Sequence, residues 1–84
     1  LEVSATPTVA GGNVFLTSGT TTITDFANGV VGQTITIKAK HSLQITDGGD
    51  LELVGNFAMT TGDTITLTMF EAGAWSEISR SNIA

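Results

Sequence analysis

The stretch spanning residues 62–80 constrains the fold of this 84-residue chain more than any other. Between Thr64 and Met69, three apolar side chains alternate with three threonines. This period of two is typical of a strand with one buried side and one side facing solvent. Glu71-Ala72-Gly73 interrupts the alternation, and residues 74–79 resume it around Trp75. The pattern therefore predicts a β-hairpin.

A second copy of the same pattern lies earlier in the chain. Residues 32–36 and residues 62–66 both read Gly-x-Thr-Ile-Thr, and the two segments lie 30 positions apart (62 − 32). Similarity at this spacing predicts two equivalent layers or coils of one architecture. Two copies are too few to define a solenoid, so we expect only that the segments take related positions in one fold.

The remaining apolar runs are short and are separated by Gly, Asn and Asp, which supply turns. No segment has apolar residues at helical spacing between capping residues, so no helix is predicted. Seven or eight strands of about four to six residues predict an all-β fold, with short antiparallel strands in a sandwich, β-prism or barrel. Residues 13–84 are expected to form one domain. Residues 1–12, with Pro7 and Gly11-Gly12, are expected to be an arm or linker, either a disordered end or a segment lying along another subunit.

The alternation also predicts which large apolar side chains form the interior. They are Val14, Leu16, Ile23, Phe26, Val31, Ile35, Ile37, Leu43, Ile45, Leu51, Leu53, Phe57, Ile65, Leu67, Met69 and Trp75. Those expected to be shared between copies, as core or interface residues, are Ile23, Phe26, Ile35, Ile37, Leu43, Ile45, Leu51, Leu53, Ile65, Leu67 and Met69.

The expectation that copies associate follows from the size of the chain. A domain of this length buries only about 60–65% of the surface of its unfolded chain, and small domains usually add disulfides, a metal or a partner. The chain has no cysteine, and its histidine and carboxylates show no metal-ligand spacing, so no cofactor is predicted. Association with further copies is therefore the remaining way to stabilise so small a domain.

The charge and composition exclude several classes of partner. The formal net charge is −5, and Lys38, Lys40 and Arg80 are the only strong bases, which argues against nucleic acid or anionic membranes. No apolar run approaches the length of a membrane span, so no membrane insertion is expected. A low charged fraction (13%) with abundant threonine is typical of extracellular or virion β-structures. Because the chain does not begin with methionine, we expect it to be a piece of a longer protein.

Candidate catalytic and metal-binding residues have simpler interpretations. Asp47, Asp50 and Asp63 lie beside glycine, where aspartate makes local hydrogen bonds in turns, so a catalytic carboxylate pair is not favoured. A calcium site at Asp47 and Asp50 is an alternative, although the stretch lacks the spacing of an acidic calcium loop. His41 is the single histidine, and no serine has a nucleophile setting, so we expect no enzyme.

Two residues are candidates for contact with a glycan. Trp75 is the single tryptophan, and aromatic rings stack on sugars in carbohydrate-binding modules. Packing in the core is the favoured interpretation of a lone tryptophan in a small domain. His41, flanked by Lys40 and Ser42 in a predicted turn, is expected to be solvated.

Three Gly- and Thr-rich segments, residues 19–26, 32–37 and 62–67, are followed by the ending Ala74-Trp75-Ser76-Glu77-Ile78-Ser79-Arg80-Ser81. With residues 7–15, they resemble the small C-terminal β-domains of bacteriophage tail-fibre, tailspike and appendage proteins, which often follow pectate-lyase-like β-helices. The likeness runs from about residue 7 to 82, and the ending is its most specific part.

That resemblance implies a homotrimer, with sheets from three chains, intertwined or not, around a threefold axis. The implied role is structural: the domain would trimerise or cap a tail fibre or tailspike of the virion and contact the rest of the fibre chain. It implies no catalytic residues. The alternative function is a carbohydrate-binding tip that recognises a bacterial surface glycan.

Overall fold

The computed structural model describes residues 1–83, in which every regular element is a β-strand. The seven strands are β1 (Val14–Leu16), β2 (Thr34–Lys38), β3 (Leu43–Ile45), β4 (Leu51–Glu52), β5 (Phe57–Met59), β6 (Thr64–Glu71) and β7 (Ala74–Ser81). The prediction of an all-β fold is confirmed. No helix in the described range is long and apolar enough to cross a membrane.

The strands form two sheets. Five strands lie in the order β1-β2-β6-β7-β4, and β3 pairs with β5 in a separate antiparallel sheet. Pairing in the larger sheet is mixed, because β1 runs parallel to β2 and β4 runs parallel to β7. The expectation of antiparallel strands throughout was therefore wrong at these two pairs. The long connection of residues 17–33 allows β1 and β2 to be parallel, since parallel neighbours need a crossover rather than a tight turn.

The predicted hairpin is β6 and β7, joined by Ala72-Gly73, with Gly73 at φ +81°. Two β-bulges interrupt their pairing. Thr66 lies opposite Ser79 whereas Leu67 lies opposite Glu77, which leaves Ile78 as an extra residue on β7. A second register shift lies between Thr68 and Glu71, next to the turn, and here the extra residue is on β6. Such bulges bend a strand and turn the extra residue out of the regular pattern.

The two copies of Gly-x-Thr-Ile-Thr form adjacent antiparallel strands. Ile35 of β2 lies opposite Leu67 of β6, and Ile37 lies opposite Ile65. All four side chains are buried. The 30-residue spacing therefore reflects two neighbouring strands of one sheet and not successive coils of a solenoid.

Both sheets contribute to a single hydrophobic core. Its buried members are Val9, Ile23, Phe26, Ile35, Ile37, Ala39, Leu43, Ile45, Leu51, Phe57, Met59, Ile65, Leu67, Met69 and Trp75, and Leu53 is half-buried against them. The core includes Val9, Ala39 and Met59, which the sequence interpretation missed.

Three residues predicted for the interior are exposed instead, namely Val14, Leu16 and Val31. Val14 and Leu16 are exposed because they point to the outer side of β1. Phe15, and not its neighbours, lies beside the buried Ile37 and packs against the core. In a run of three apolar residues, the period of two does not reveal which residues point inward.

The first twelve residues pack on their own domain instead of extending as an arm. Pro7 and Val9 are buried. The N–H of Val9 donates to the carbonyl of Ala27 (2.9 Å), and the N–H of Ala27 donates to the carbonyl of Pro7 (2.9 Å). In this structure residues 1–12 therefore belong to the folded unit.

Gly29 lies against the indole ring of Trp75, and we expect Gly29→Ala to destabilise the fold. An added Cβ would overlap Cζ2 of Trp75 and lie 3.0 Å from Cε of Met69, and both side chains are buried. Because packing there is tight, the free energy of unfolding should fall by about 1–3 kcal/mol, measured by urea denaturation. Gly19→Ala is the matched control, since its Cβ would meet only the exposed side chain of Val3. Equal losses in the two variants would contradict this packing.

Candidate assembly surface

The outer face of the five-stranded sheet is covered with hydroxyl groups. Residues that lie opposite each other on neighbouring strands share a face of the sheet. We call this surface the hydroxyl face, and it comprises Thr34, Thr36, Thr64, Thr66, Thr68, Ser76, Ser79 and Ser81.

Neighbouring hydroxyls of the hydroxyl face bond to each other. The Oγ1 atoms of Thr34 and Thr68 are 2.8 Å apart, and those of Thr36 and Thr66 are 3.1 Å apart. These cross-strand pairs fix the rotamers of the threonines and occupy part of their hydrogen-bonding capacity. The centre of the sheet therefore presents an uncharged surface to solvent.

Strand β1 forms one margin of that surface. Val14 lies beside Thr36, and Leu16 lies beside Lys38, so both apolar side chains share the face of the hydroxyls. Val14 is 79% exposed and Leu16 is 51% exposed. Within residues 1–83, β1 has a strand neighbour on one side only, which is β2, and the N-terminal ammonium of Leu1 donates to the carbonyl of Leu16 (2.8 Å). An open strand edge flanked by exposed apolar side chains favours association.

The two bulges of the hairpin add further exposed apolar side chains. Phe70, at the bulge on β6, is 63% exposed, and Ile78, the extra residue on β7, is 54% exposed. A bulge changes the direction of its residues relative to the regular alternation. This explains the exposure of Ile78, whereas Phe70 continues the outward positions of Thr66 and Thr68 in the regular alternation of β6.

Carboxylates gather at the opposite margin, beside β4. Asp47, Asp50 and Glu52 are exposed there. Asp25 lies close enough to Asp50 for the two carboxyl groups to interact; burial, and secondarily the negative charge of Asp50, raise the pKa of Asp25. Glu52 lies beside Ser76 and accepts a hydrogen bond from its hydroxyl (3.2 Å), so these carboxylates border the hydroxyl face at β4 and leave its centre uncharged.

Glu77 and Arg80 form an ion pair on the inner side of β7. Nη2 of Arg80 lies 2.7 Å from Oε1 of Glu77, and the guanidinium lies 4.4 Å from the ring centroid of Phe57. Hydrogen bonds from Arg80, together with the N–H of Val54, lower the pKa of Glu77 despite the opposing effect of burial. The charged hydrogen bonds hold the bulged part of β7 against β5 and the loop before it.

The ion pair predicts a pH-dependent stability. Because the pKa of Glu77 is lower in the folded chain, its ionised form stabilises the fold above its ordinary pKa, and this contribution is lost as the pH falls through the folded value. We expect Glu77→Gln to be less stable than the wild type at neutral pH, and the difference to shrink below about pH 4. The raised pKa of Asp25 affects the pH dependence of stability with the opposite sign, but Asp25 is present in both proteins and its effect cancels in their difference. Urea denaturation at several pH values measures the difference, and a difference independent of pH would contradict the assignment.

The two candidate glycan contacts lie in different environments. Trp75 is fully buried, its Nε1–H donates to the carbonyl of Phe26 (3.3 Å), and its ring packs edge-on against Phe26 at 6.2 Å. Its ring has no face open to a sugar, so Trp75 packs in the core, as the favoured interpretation predicted, and the alternative of a direct glycan contact does not fit its burial. His41 is half-buried rather than solvated, with Nδ1 3.1 Å from Oγ1 of Thr17.

The aspartates near glycine act within turns. Oδ1 of Asp47 accepts the N–H of Leu53 (2.9 Å), and the N–H of Asp47 donates to Oδ1 of Asn56 (2.8 Å). The buried Asp63 accepts the N–H of Thr60 (3.0 Å). Across residues 1–83, no three His, Cys, Asp or Glu side chains are grouped so that they could hold a metal ion.

A wide open groove of about 470 Å³ lies near the start of β1. It is lined by residues 11–13, Asn28 and residues 30–33. The amide of Gln33 is occupied, since its Nε2 donates to the carbonyls of Val9 (2.8 Å) and Gly12 (2.7 Å). No aromatic ring is among the lining residues. The groove offers backbone and amide groups without a stacking platform.

Comparisons with protein-family models, with curated proteins and with solved structures find no match to this chain. The exposed pair Val14 and Leu16 is the feature that sequence reasoning placed on the wrong side of the sheet. The run between Asn13 and Thr17 contains only three residues, all apolar, so its sequence does not show which side chains point inward.

Proposed function

We propose that this chain is a structural, non-enzymatic module that joins three copies at the C-terminal end of a phage tail fibre or tailspike. In that role it fixes the register of the three chains and covers the exposed sheet edge. The proposal is supported by the resemblance of residues 7–82 to such domains. The single structural observation that carries it is the edge of β1, which has no second strand neighbour within residues 1–83 and leaves Val14 and Leu16 exposed next to the hydroxyl face.

We propose that the copies meet through surface side chains and do not share one hydrophobic core. The candidates for a shared core are buried within one chain, apart from the half-buried Leu53. They are therefore not available to a partner without unfolding the domain. Association has to use side chains that a single copy leaves exposed, and Val14, Leu16, Phe70 and Ile78 meet that condition.

Electrostatics favours the same region. Copies that each carry a net charge of −5 repel one another, and the repulsion is weakest where carboxylates of the two copies do not face each other. The central rows of the hydroxyl face contain only serine and threonine. Burial of an apolar side chain contributes about 1.5–3 kcal/mol, so a few such contacts per interface are significant.

Native mass spectrometry and light scattering at low micromolar concentration test the proposal. We expect a trimer for the wild type and a folded monomer for Leu16→Asp, because the new charge would be desolvated in the contact. Val30→Asp is the matched control, since Val30 is also exposed but lies outside the strands, and this variant should remain trimeric. A wild type that stays monomeric at these concentrations would refute the assembly role.

A carbohydrate-binding tip is the second candidate, and the groove lined by Asn13, Asn28 and Gln33 is the observation in its favour. A glycan array separates the two functions. Binding that is lost in Val31→Arg, which places a long side chain in the groove without touching the core, would promote this candidate. No binding by the wild type would dismiss it.

A further inference from the structure

The cations of this protein that have no ion-pair partner lie at one margin of the five-stranded sheet. Lys38 ends β2, directly beside Leu16 of β1. Lys40 follows two residues later, and its N–H donates to Oγ1 of Thr17 (2.9 Å). Both lysines are exposed, and neither forms an ion pair within residues 1–83. We call Lys38 and Lys40 the basic corner.

Two carboxylates in this part of the chain accept hydrogen bonds from backbone N–H groups. Asp63 is fully buried, and its Oδ1 accepts the N–H of Ile83 (2.9 Å). Oε1 of Glu2 accepts the N–H of Thr8 (2.8 Å). Among the described residues 1–83, no ion pair balances the positive charge of the basic corner.

The opposite margin of the same sheet is β4. We call the exposed carboxylates of Asp47, Asp50 and Glu52 beside it the acidic edge. The nearby cation Arg80 is committed to Glu77. The effect of Asp50 on the pKa of Asp25 shows that like charges are crowded there. Val54, which follows this edge, is 86% exposed.

We infer that the basic corner of one copy, with Val14 and Leu16, docks against the acidic edge and Val54 of a second copy. This inference rests on the proposed function and specifies how its copies meet. Each chain carries both surfaces, one beside β1 and the other beside β4, which are the two outer strands of one sheet. Repeating such a head-to-tail contact gives a closed ring when each copy is rotated by a third of a turn from the last, which is the arrangement of a cyclic trimer.

The alternative contact joins two identical β1 edges around a twofold axis. That arrangement would bring the lysines of one basic corner towards those of the other, with no carboxylate between them. Like charges placed together at an interface disfavour the complex, whereas complementary charges steer its formation. The distribution of charge therefore favours the head-to-tail contact and disfavours the twofold one.

Charge reversal tests the inference. Lys38→Glu/Lys40→Glu reverses the basic corner, and Asp50→Lys/Glu52→Lys reverses the acidic edge. We expect each double variant to keep the circular dichroism spectrum of the wild type and to be monomeric where the wild type is trimeric. The variant with all four substitutions should recover the trimer, because both surfaces are reversed together.

Trimers of both double variants would overturn the head-to-tail contact while leaving the assembly role in place. Loss of assembly on reversal of the basic corner alone, with assembly unchanged on reversal of the acidic edge, would also overturn it. A monomeric wild type would instead refute the proposed function itself. Should a variant fail to fold, the wild type supplies the test: its dissociation constant should rise at least about tenfold from about 0.05 to 0.5 M salt. A dissociation constant that does not change with salt would contradict the inference.

Discussion

Shortening Leu67 to alanine is expected to lower the free energy of unfolding by about 2–5 kcal/mol. Leu67 is fully buried in the central strand β6, opposite Ile35, and a cavity there would be enclosed by both sheets. Domains have total stabilities of about 5–15 kcal/mol, so this variant should be partly unfolded at moderate urea. Urea denaturation followed by the fluorescence of Trp75 measures the loss. Leu67→Asp, which would bury a charge, is expected to abolish folding and assembly together.

Leu16→Ala is the control for this prediction. Leu16 is the same residue type but lies exposed on the edge strand β1, so its truncation should change the free energy of unfolding by about 0.5 kcal/mol or less. Both variants are compared at one concentration, because assembly raises apparent stability by mass action. Equal losses at the two positions, or a folded monomer from Leu67→Asp, would contradict the single-chain core.

Truncating Trp75 to alanine is expected to cost about 3–5 kcal/mol of stability. The indole is fully buried, packs edge-on against Phe26 at 6.2 Å and lies against Gly29, so its removal leaves a large cavity in the core. Its Nε1–H also satisfies the carbonyl of Phe26. Thermal unfolding followed by circular dichroism measures the effect.

Trp75→Phe separates the two contributions of the indole. It retains most of the apolar volume but leaves the carbonyl of Phe26 without this donor, which costs about 1–3 kcal/mol. We therefore expect its unfolding temperature to lie between those of the wild type and Trp75→Ala. An unchanged unfolding temperature for Trp75→Ala would refute the packing role. Because Trp75→Ala disturbs the core, a loss of glycan binding in that variant would not identify a sugar contact.

Sequence reasoning was most accurate where the period of two extends over several residues. In β6, residues 65, 67 and 69 were assigned to the interior and are buried. In β2, Ile35 and Ile37 were assigned in the same way and are buried. Long alternation is informative because, in a strand with one buried face, a shift by one residue would move every apolar side chain to the solvent side.

Sequence reasoning failed where a strand is too short to show its period. β1 contains only Val14, Phe15 and Leu16, all apolar, and two opposite orientations fit that run equally well. The packing of Phe15 beside Ile37 selects one of them and exposes the other two side chains. The candidate assembly surface was missed for this reason.

The sequence by itself determined the all-β class, the β6–β7 hairpin and the inward faces of the long strands, because these depend on local alternation and turn chemistry. Only the tertiary structure decided the parallel pairing of β1 and β4, the burial of Val9 and the exposure of Leu16. It also placed Lys38 and Glu52 at opposite margins of one sheet. These features depend on contacts between residues far apart in the chain, and the order in which strands pair is not encoded in the period of any one of them.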